Sequence, residues 1–296
     1  MIVVTGASGF VGRAVCDALR ARGDRVVTIG RGAGSDVAWP AGDAEFGAET
    51  VAALSGARAV VHLAGETIGA RWTAGRKREI MRSRALNTAR LARAVARLDP
   101  APIAFISASG IGYYGNRGDE WLDESSTAGD DFPSAVTRAW EQATEPAREA
   151  GLRVVRLRLG VVLGAGGGML EQIRLPFSLG LGGPLGSGLQ WFSWVSLTDV
   201  VRVVLRAIDD AALSGAVNVV SPVPVRNAEF TAALGRVLRR PAVMPVPAFA
   251  LRALFGEMAD GLMLASQRAR PARLLAAGYT FEYPEIEGAL RAALNT

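Results

Sequence analysis

Residues 2–32 constrain the fold more than any other part of the chain, because they alternate strand, glycine turn, helix and strand. Residues 2–4 form a continuous β-branched apolar run, which is typical of a strand buried on both faces. Apolar residues then recur at helical spacing up to Gly23, which is placed to end the helix. Residues 26–29 repeat the buried-strand pattern. Because parallel strands need a crossover helix of this kind, the sequence predicts an α/β fold.

The alternation of strands and helices continues along the rest of the chain. The pattern predicts strands at 59–63, 103–107, 153–159 and 217–220, and helices at 76–98, 134–150, 197–209, 227–238 and 247–255. Beyond Gly160, glycine-rich loops interrupt it. We therefore predict a Rossmann-type doubly wound parallel sheet in residues 1–160, which binds a dinucleotide. Residues 161–296 are expected to form a smaller, loop-rich C-terminal part, with some elements returning to the first domain.

Composition argues against several classes of protein. No run of about 18 uncharged apolar residues occurs, so no membrane span is predicted. The formal net charge of +5 is modest for 296 residues, and only residues 71–84 are dense in cations, so nucleic-acid binding is not expected. One histidine and one cysteine cannot build a nitrogen and sulfur metal site. Because Cys16 has no partner for an internal disulfide, a reducing, cytoplasmic location is predicted.

The glycine turn after the first strand reads TGASGFVG over residues 5–12. Gly6 permits the tight turn, Gly9 lets the backbone approach a pyrophosphate, and Gly12 lets the helix pack closely on the strand. The start of the helix then offers N–H groups and a positive dipole end to the phosphates. The predicted pyrophosphate-binding residues are Gly6, Ser8, Gly9, Phe10, Val11 and Gly12.

The end of the second strand indicates which dinucleotide binds. An Asp or Glu there would hydrogen-bond the ribose 2′-hydroxyl of NAD. This chain instead has Arg31 between two glycines, and the nearest acidic residue, Asp36, lies well downstream. An arginine at this place accommodates a 2′-phosphate and can stack on adenine, although a solvated surface arginine is the plainer alternative. The sequence therefore predicts NADP(H), with Arg31 as the selecting residue.

Several longer segments carry a resemblance to a known family. They are TGASGFVG (5–12), HLAGE (62–66), RWTAGRKREIMRSR (71–84), SASGIGYYG (107–115), RLGVVLG (158–164), PFSLGLGGPLGSGLQWFSWVSLTDV (176–200) and GEMADGLML (256–264). In these segments the chain resembles the extended short-chain dehydrogenase/reductase superfamily, and more closely its atypical branch of epimerase family proteins. The resemblance implies a seven-stranded parallel sheet, a cofactor at the carboxyl ends of the strands, and a substrate held by the C-terminal part.

The same resemblance implies further cofactor-binding residues. Leu63 and Ala64 match the strand end that borders adenine and ribose in the family. Glu79 and Arg84 match polar helix positions that are associated with NADP in this branch. Val161 lies in the stretch that matches the neighbourhood of the nicotinamide.

The superfamily's catalytic pair is missing. Active members of the superfamily share a Ser or Thr, together with a Tyr and a Lys spaced as YxxxK. In this pair the lysine lowers the pKa of the tyrosine. Lys77 is the only lysine here and precedes all four tyrosines, so no such pair can exist. The usual tyrosine segment aligns with residues 131–134, and the usual Ser or Thr falls at Gly110, next to Ser109.

Three hypotheses about chemistry remain open. Ser109 with Tyr113 or Tyr114 could act as substitute catalytic residues, hydride transfer could proceed without a protein lysine, or the protein could bind NADP(H) and catalyse nothing. The main interpretation is an NADP(H)-dependent oxidoreductase or epimerase-like enzyme that acts on a small polar substrate, nucleotide-linked or not. The alternative is a catalytically silent NADP(H)-binding protein with a regulatory or scaffold role.

A few other residues have both a structural and a functional interpretation. His62 ends an apolar strand and is expected to be structural rather than a base. Asp199 is expected to serve the start of a helix. Trp191, Phe192 and Trp194 could line a substrate wall or anchor the glycine-rich loop.

Overall fold

The computed structural model describes residues 1–295 of the chain. The strands are β1 (Ile2–Thr5), β2 (Val26–Gly30), β3 (Val37–Ala38), β4 (Ala59–His62), β5 (Ala104–Gly110), β6 (Trp121–Leu122), β7 (Arg153–Leu159), β8 (Val161–Leu163), β9 (Trp191–Phe192), β10 (Trp194–Ser196), β11 (Gly215–Val219), β12 (Val225–Arg226) and β13 (Arg268–Ala269). The α-helices are α1 (Phe10–Ala21), α2 (Ala48–Ala53), α3 (Ala74–Met81), α4 (Asn87–Val95), α5 (Phe132–Gln142), α6 (Glu145–Glu149), α7 (Gly168–Ser178), α8 (Leu197–Asp209), α9 (Asn227–Leu238), α10 (Ala248–Phe255), α11 (Ala272–Ala276) and α12 (Ile286–Leu294). Within residues 1–295, none of the helices has the length and apolar character needed to cross a membrane.

The central sheet is parallel throughout and has seven strands in the order β11-β7-β5-β4-β1-β2-β3. Ile2 of β1 lies opposite Val26 of β2 on one side and Ala59 of β4 on the other. Strand order therefore reverses between β1 and β4. In such sheets the crevice outside the carboxyl ends at this reversal is where ligands bind. The prediction of a Rossmann-type, doubly wound parallel sheet is confirmed.

Helices cover both faces of the sheet because successive strand residues point to opposite sides. Ile2 and Val4 of β1 pack in one apolar core with α1, α8 and α11. Val3, between them, packs in the other core with α2, α4 and α6. All three residues are fully buried, which is why this strand has no polar alternation.

The C-terminal residues build a third core and also complete the main sheet. Helices α7, α9 and α12 surround Trp194 of β10, which is fully buried. Strand β11, however, pairs with β7 at the edge of the central sheet, and α8 packs on its face. The division at residue 160 stays a prediction, since the chain crosses between the two cores more than once.

Two helices predicted as continuous differ in the structure. The predicted helix 76–98 is α3, a π-helical segment at Arg82–Leu86, and α4. The predicted helix 134–150 is wrong as a single element, because it divides into α5 and α6 around Thr144. Pro146 has no N–H to donate to the carbonyl oxygen of Gln142, four residues earlier, which explains the break between α5 and α6.

Candidate functional site

The glycine turn brings β1, α1 and the end of β4 into backbone contact. Gly6 has a φ of +72°, and a Cβ there would lie 2.7 Å from the nitrogen of Ala64. A Cβ on Gly12 would lie 2.7 Å from the carbonyl carbon of Gly6. Gly9 is the N-cap of α1 and makes no side-chain cap hydrogen bond. The first N–H groups of α1 therefore face the crevice without a side chain to satisfy them, as an anion site requires.

A buried network fixes the loop that follows β4. Thr5 Oγ1 and His62 Nδ1 are 2.6 Å apart, and His62 Nε2 lies 2.8 Å from Thr88 Oγ1. The backbone nitrogen of Ala64 donates to Thr5 Oγ1 at 3.3 Å. Burial lowers the pKa of His62 to about 3, so the ring is neutral. His62 thus holds Leu63 and Ala64 against the glycine turn, as its structural interpretation predicts.

Acidification is expected to destabilise the protein through His62. The folded protein keeps this ring neutral down to a pKa of about 3, whereas the unfolded chain protonates it near 6.5. The unfolded state therefore binds the extra proton, and the stability from His62 is complete above pH 6.5 and is lost as the pH falls toward 3. Urea unfolding should show a loss of up to about 1.4 kcal/mol per pH unit. His62→Asn should have a shallower slope, and equal slopes would contradict a neutral His62.

The other wall of the crevice is the loop after β8. The ring of Phe10 fills the space beside Gly167, where a Cβ would lie 2.6 Å from its Cδ2. Arg13 donates to the carbonyl oxygen of Ser8 at 3.0 Å and to that of Gly166 at 3.3 Å. Val161, at the start of β8, is half-buried and pairs with Trp194 of β10. Ser8, Phe10 and the strand of Val161 therefore meet at one edge, although they are far apart in sequence.

Three predicted cofactor-binding residues, Arg31, Glu79 and Arg84, lie around Glu66 and its partner Arg76. Arg31 Nη2 lies 3.9 Å from Glu66 Oε2. Arg76 donates to both Glu66 and Glu79, each at 3.2 Å. Arg84 donates to the carbonyl oxygen of Glu66 at 2.9 Å, and its burial lowers its pKa to about 10. The sequence interpretation missed Glu66 and Arg76, although Glu66 ends the HLAGE segment and Arg76 lies in the cationic one.

Ser109 and Tyr114 belong to one buried polar network. Ser109 Oγ donates to Glu141 Oε1 at 2.8 Å. Arg158 donates to both oxygens of Glu141, at 2.7 and 2.9 Å, and to the Tyr114 hydroxyl at 3.0 Å. The Tyr114 hydroxyl in turn donates to Asn218 at 2.7 Å, and burial raises its pKa to about 12. These groups tie β5, α5, β7 and β11 together.

Tyr113 is placed differently from its neighbour. Its ring stacks on Arg158, with the guanidinium carbon 3.5 Å from the ring centroid. It lies in the turn after β5, at the carboxyl edge of the sheet, and is half-buried. Within residues 1–295 its hydroxyl makes no hydrogen bond. Tyr113 is therefore the predicted catalytic residue whose polar group remains available.

Residues 131–134, which match the superfamily's tyrosine segment by resemblance, contain no tyrosine and lie at the start of α5. Pro133 lies at the start of α5, and Thr137 Oγ1 donates to its carbonyl oxygen at 2.8 Å. A Cβ on Gly261 would lie 2.8 Å from the ring of Trp72 and 3.3 Å from Pro133. The π-helical segment Ala259–Met263 therefore covers the start of α5 at Pro133. Asp131 caps α5 by accepting from the nitrogen of Ser134 at 2.9 Å.

The aromatic residues near the glycine-rich loop make anchoring contacts. Trp194 Nε1 donates to the carbonyl oxygen of Val223 at 3.2 Å, and Trp191 Nε1 donates to Asp119 at 2.8 Å. The contacts of Trp191 and Trp194 favour the anchoring alternative over a substrate wall.

Asp199 is fully buried near the start of α8 and accepts from the hydroxyl of Tyr279 at 3.0 Å.

Comparison with known sequences identifies related proteins. The chain matches the NAD dependent epimerase/dehydratase family over residues 2–220, and a domain of unknown function (DUF1731) over residues 246–293. Epimerase family protein MT2273 of Mycobacterium tuberculosis is 43% identical over 98% of this chain and 96% of its own length. Epimerase family protein SDR39U1 of Homo sapiens is 36% identical over 98% of each chain.

Solved structures agree with these relatives. The crystal structure of human epimerase family protein SDR39U1 (isoform 2) with NADPH has a TM-score of 0.92 at 35% identity, covering 100% of this chain and 99% of that chain. A nucleoside-diphosphate sugar epimerase from Corynebacterium glutamicum has a TM-score of 0.80 at 38% identity, covering 99% of this chain and 57% of its own. UDP-glucose 4-epimerase from Thermotoga maritima also reaches 0.80, but at 18% identity, which is a likeness of fold alone. From its sheet, its glycine turn and these matches, the chain belongs to the NAD dependent epimerase/dehydratase family, among the epimerase family proteins.

Proposed function

We propose that this chain binds NADP(H) in the crevice between the carboxyl ends of β1 and β4. The observation that carries the proposal is the uncapped start of α1 at Gly9, where a Cβ would meet only the carbonyl oxygen of Gly6. Arg31, 85% exposed at the end of β2, supplies a cation where the 2′-phosphate of NADP is expected. The human relative crystallised with NADPH supports the same assignment.

The residues that would hold the cofactor fit its chemistry. Backbone N–H groups from residues 8–12 would bind the pyrophosphate, and the loop at Leu63 and Ala64 would border the adenosine. Glu79, Arg84 and Val161 complete the proposed set. When bound, NADP(H) supplies or accepts a hydride at a substrate carbon.

For the reaction, we propose an NADP(H)-dependent oxidoreductase or epimerase-like activity on a small polar substrate. Tyr113 would donate the proton that a reduced carbonyl oxygen takes up, because it is the candidate with an uncommitted hydroxyl among residues 1–295. Ser109 and Tyr114 would act on the site only through the network of Arg158. A cytoplasmic location stays a prediction, and one relative, from Arabidopsis thaliana, is named as chloroplastic.

A second candidate function has its own observation. Residues 131–134, which match the superfamily's tyrosine segment, contain no tyrosine, and the segment at Gly261 covers Pro133. A protein that binds NADP(H) and catalyses nothing, in a regulatory or scaffold role, is compatible with this arrangement.

Arg31→Glu is expected to abolish the preference for NADPH over NADH. The two cofactors differ only in the 2′-phosphate, and a hydrogen bond to a charged group contributes about 1.5–3 kcal/mol, or roughly ten- to a hundredfold in affinity. The wild type should therefore prefer NADPH by that factor, and the variant should lose the preference. Titration by tryptophan fluorescence at two salt concentrations measures this, because screening weakens only the ionic part. Equal wild-type affinities for NADPH and NADH would contradict the role of Arg31.

Sugar-nucleotide epimerisation is not expected at the rates typical of the superfamily. Without the tyrosine and lysine pair, the acid–base contribution to the rate, about 10²–10⁴-fold, is missing. Robust turnover of UDP-glucose or a GDP-sugar by pure protein would contradict this prediction. A panel of small carbonyl compounds followed by NADPH absorbance then separates the two candidate functions. Turnover that Tyr113→Phe removes, with cofactor affinity unchanged, supports the enzyme, whereas no turnover across the panel favours the silent protein.

A further inference from the structure

Glu66 is the carboxylate nearest to the proposed NADP-selecting arginine. Its Oε2 lies 3.9 Å from Nη2 of Arg31, and its Oε1 lies 3.2 Å from Nη2 of Arg76. The side chain of Arg31 is 85% exposed, whereas those of Glu66 and Arg76 are 30% and 23% exposed. The carboxylate is therefore partly enclosed beside Arg76, whereas Arg31 approaches it from the solvent side.

Further hydrogen bonds hold the Glu66 carboxylate in place. Its Oε1 accepts from the backbone nitrogen of Thr67 at 3.1 Å. Arg76 is itself held, because it donates to the carbonyl oxygen of Thr67 at 2.6 Å and to Glu79 at 3.2 Å. Arg84 donates to the main-chain oxygen of Glu66 rather than to its carboxylate. Arg76 is thus the cation that neutralises Glu66, and Arg31 is a second, weaker one.

We propose that Glu66 is an internal competitor of the adenosine 2′-phosphate. It pairs with Arg31 before the cofactor arrives and repels the phosphate that replaces it, so it limits the preference for NADPH over NADH. The proposal rests on the NADP(H) binding proposed above. A carboxylate and a phosphate compete for the same guanidinium donors, which bind both groups with similar geometry. Arg76 has the opposite influence, because it neutralises part of the charge on Glu66.

The expected effect is modest and specific to the phosphate. Pairs between exposed charges are weak and are screened by salt, so Glu66 should change affinity several-fold rather than by orders of magnitude. NADH has no 2′-phosphate, and its affinity should not respond. The same reasoning applies to 2′,5′-ADP, which contains the phosphate but lacks the nicotinamide.

The test measures the affinities of full-length protein for NADPH, NADH and 2′,5′-ADP by calorimetry at low salt. Glu66→Gln keeps the size and an acceptor for Arg76 but removes the charge. It should tighten NADPH and 2′,5′-ADP about fivefold and leave NADH unchanged. Arg76→Gln should weaken the two phosphate-bearing ligands by a similar factor, and again spare NADH. Both changes in affinity should shrink toward zero at about 1 M salt, because the Debye screening length is then about 3 Å.

Asp209→Asn is the matched control. Asp209 also forms ion pairs with two arginines, Arg22 at 2.6 Å and Arg58 at 2.8 Å. It ends α8, and Arg58 directly precedes β4, so Asp209 lies at the amino ends of the strands, away from the crevice. It should change none of the three affinities. If wild type binds NADPH but Glu66→Gln leaves every affinity unchanged, or shifts NADPH and NADH equally, this inference is overturned and the proposed cofactor stands. If wild type binds neither dinucleotide, the proposed function itself fails.

Discussion

Gly9→Val is expected to reduce NADPH affinity at least a hundredfold while the protein stays folded. A Cβ on Gly9 would meet only the carbonyl oxygen of Gly6, at 3.2 Å. The backbone of Gly9 is extended, with φ −76° and ψ 170°, a conformation that any residue can adopt. The valine would instead occupy the space in which a pyrophosphate must approach α1. Loss of two hydrogen bonds to a charged group, at about 1.5–3 kcal/mol each, accounts for at least a hundredfold. Calorimetric titration with NADPH measures the loss.

The control for this variant lies three residues away. Gly12→Val is expected to destabilise the fold by about 3 kcal/mol or more, because its Cβ would overlap the backbone of Gly6. Thermal unfolding should therefore separate the two variants: Gly12→Val lowers Tm and Gly9→Val does not. Wild-type affinity for NADPH in Gly9→Val would show that the turn does not hold the cofactor.

Glu141→Gln is expected to cost about 3–5 kcal/mol of stability. The side chains of Glu141 and Arg158 are only 6% and 5% exposed, and they form a two-point ion pair. Removing one charge leaves the other buried and uncompensated, which costs more than the pair itself contributes. Ser109 would also lose its charged acceptor. Urea unfolding of the two proteins at pH 7 measures the difference.

Glu145→Gln tests whether burial is the cause. Glu145 likewise forms ion pairs, with Arg148 and Arg156, but its side chain is 28% exposed. Partly solvated pairs of this kind contribute about 0–1 kcal/mol, so this variant should lose little. Equal losses of stability in the two variants would contradict a special contribution of the buried Arg158 network to folding. They would also contradict a structural role for Ser109 and Tyr114 in that network.

Local sequence was sufficient to predict the cofactor end of the fold. The β-branched run at residues 2–4, the glycine spacing at 6, 9 and 12, and the helical periodicity up to Gly23 are each set by neighbours a few residues away. Such patterns have few alternative solutions, and the structure has the strand, turn and helix as predicted. The lack of a YxxxK pair also follows from counting residues, since no fold can supply a missing lysine.

The tertiary structure decided what surrounds that turn. Glu66 and Arg31 lie 35 positions apart in sequence, and only the parallel pairing of β1 with its two neighbours brings their side chains together. The adjacent tyrosines Tyr113 and Tyr114 look equivalent in sequence, but Arg158 and Asn218 from two other strands bind the hydroxyl of Tyr114 alone. Apart from β11, the strands after residue 160 in the described part of the chain have two or three residues, too few for a periodicity. Contacts between distant segments depend on how the whole chain packs, so the sequence by itself determined the glycine turn and its helix, whereas the packing of the sheet determined which polar groups remain available around them.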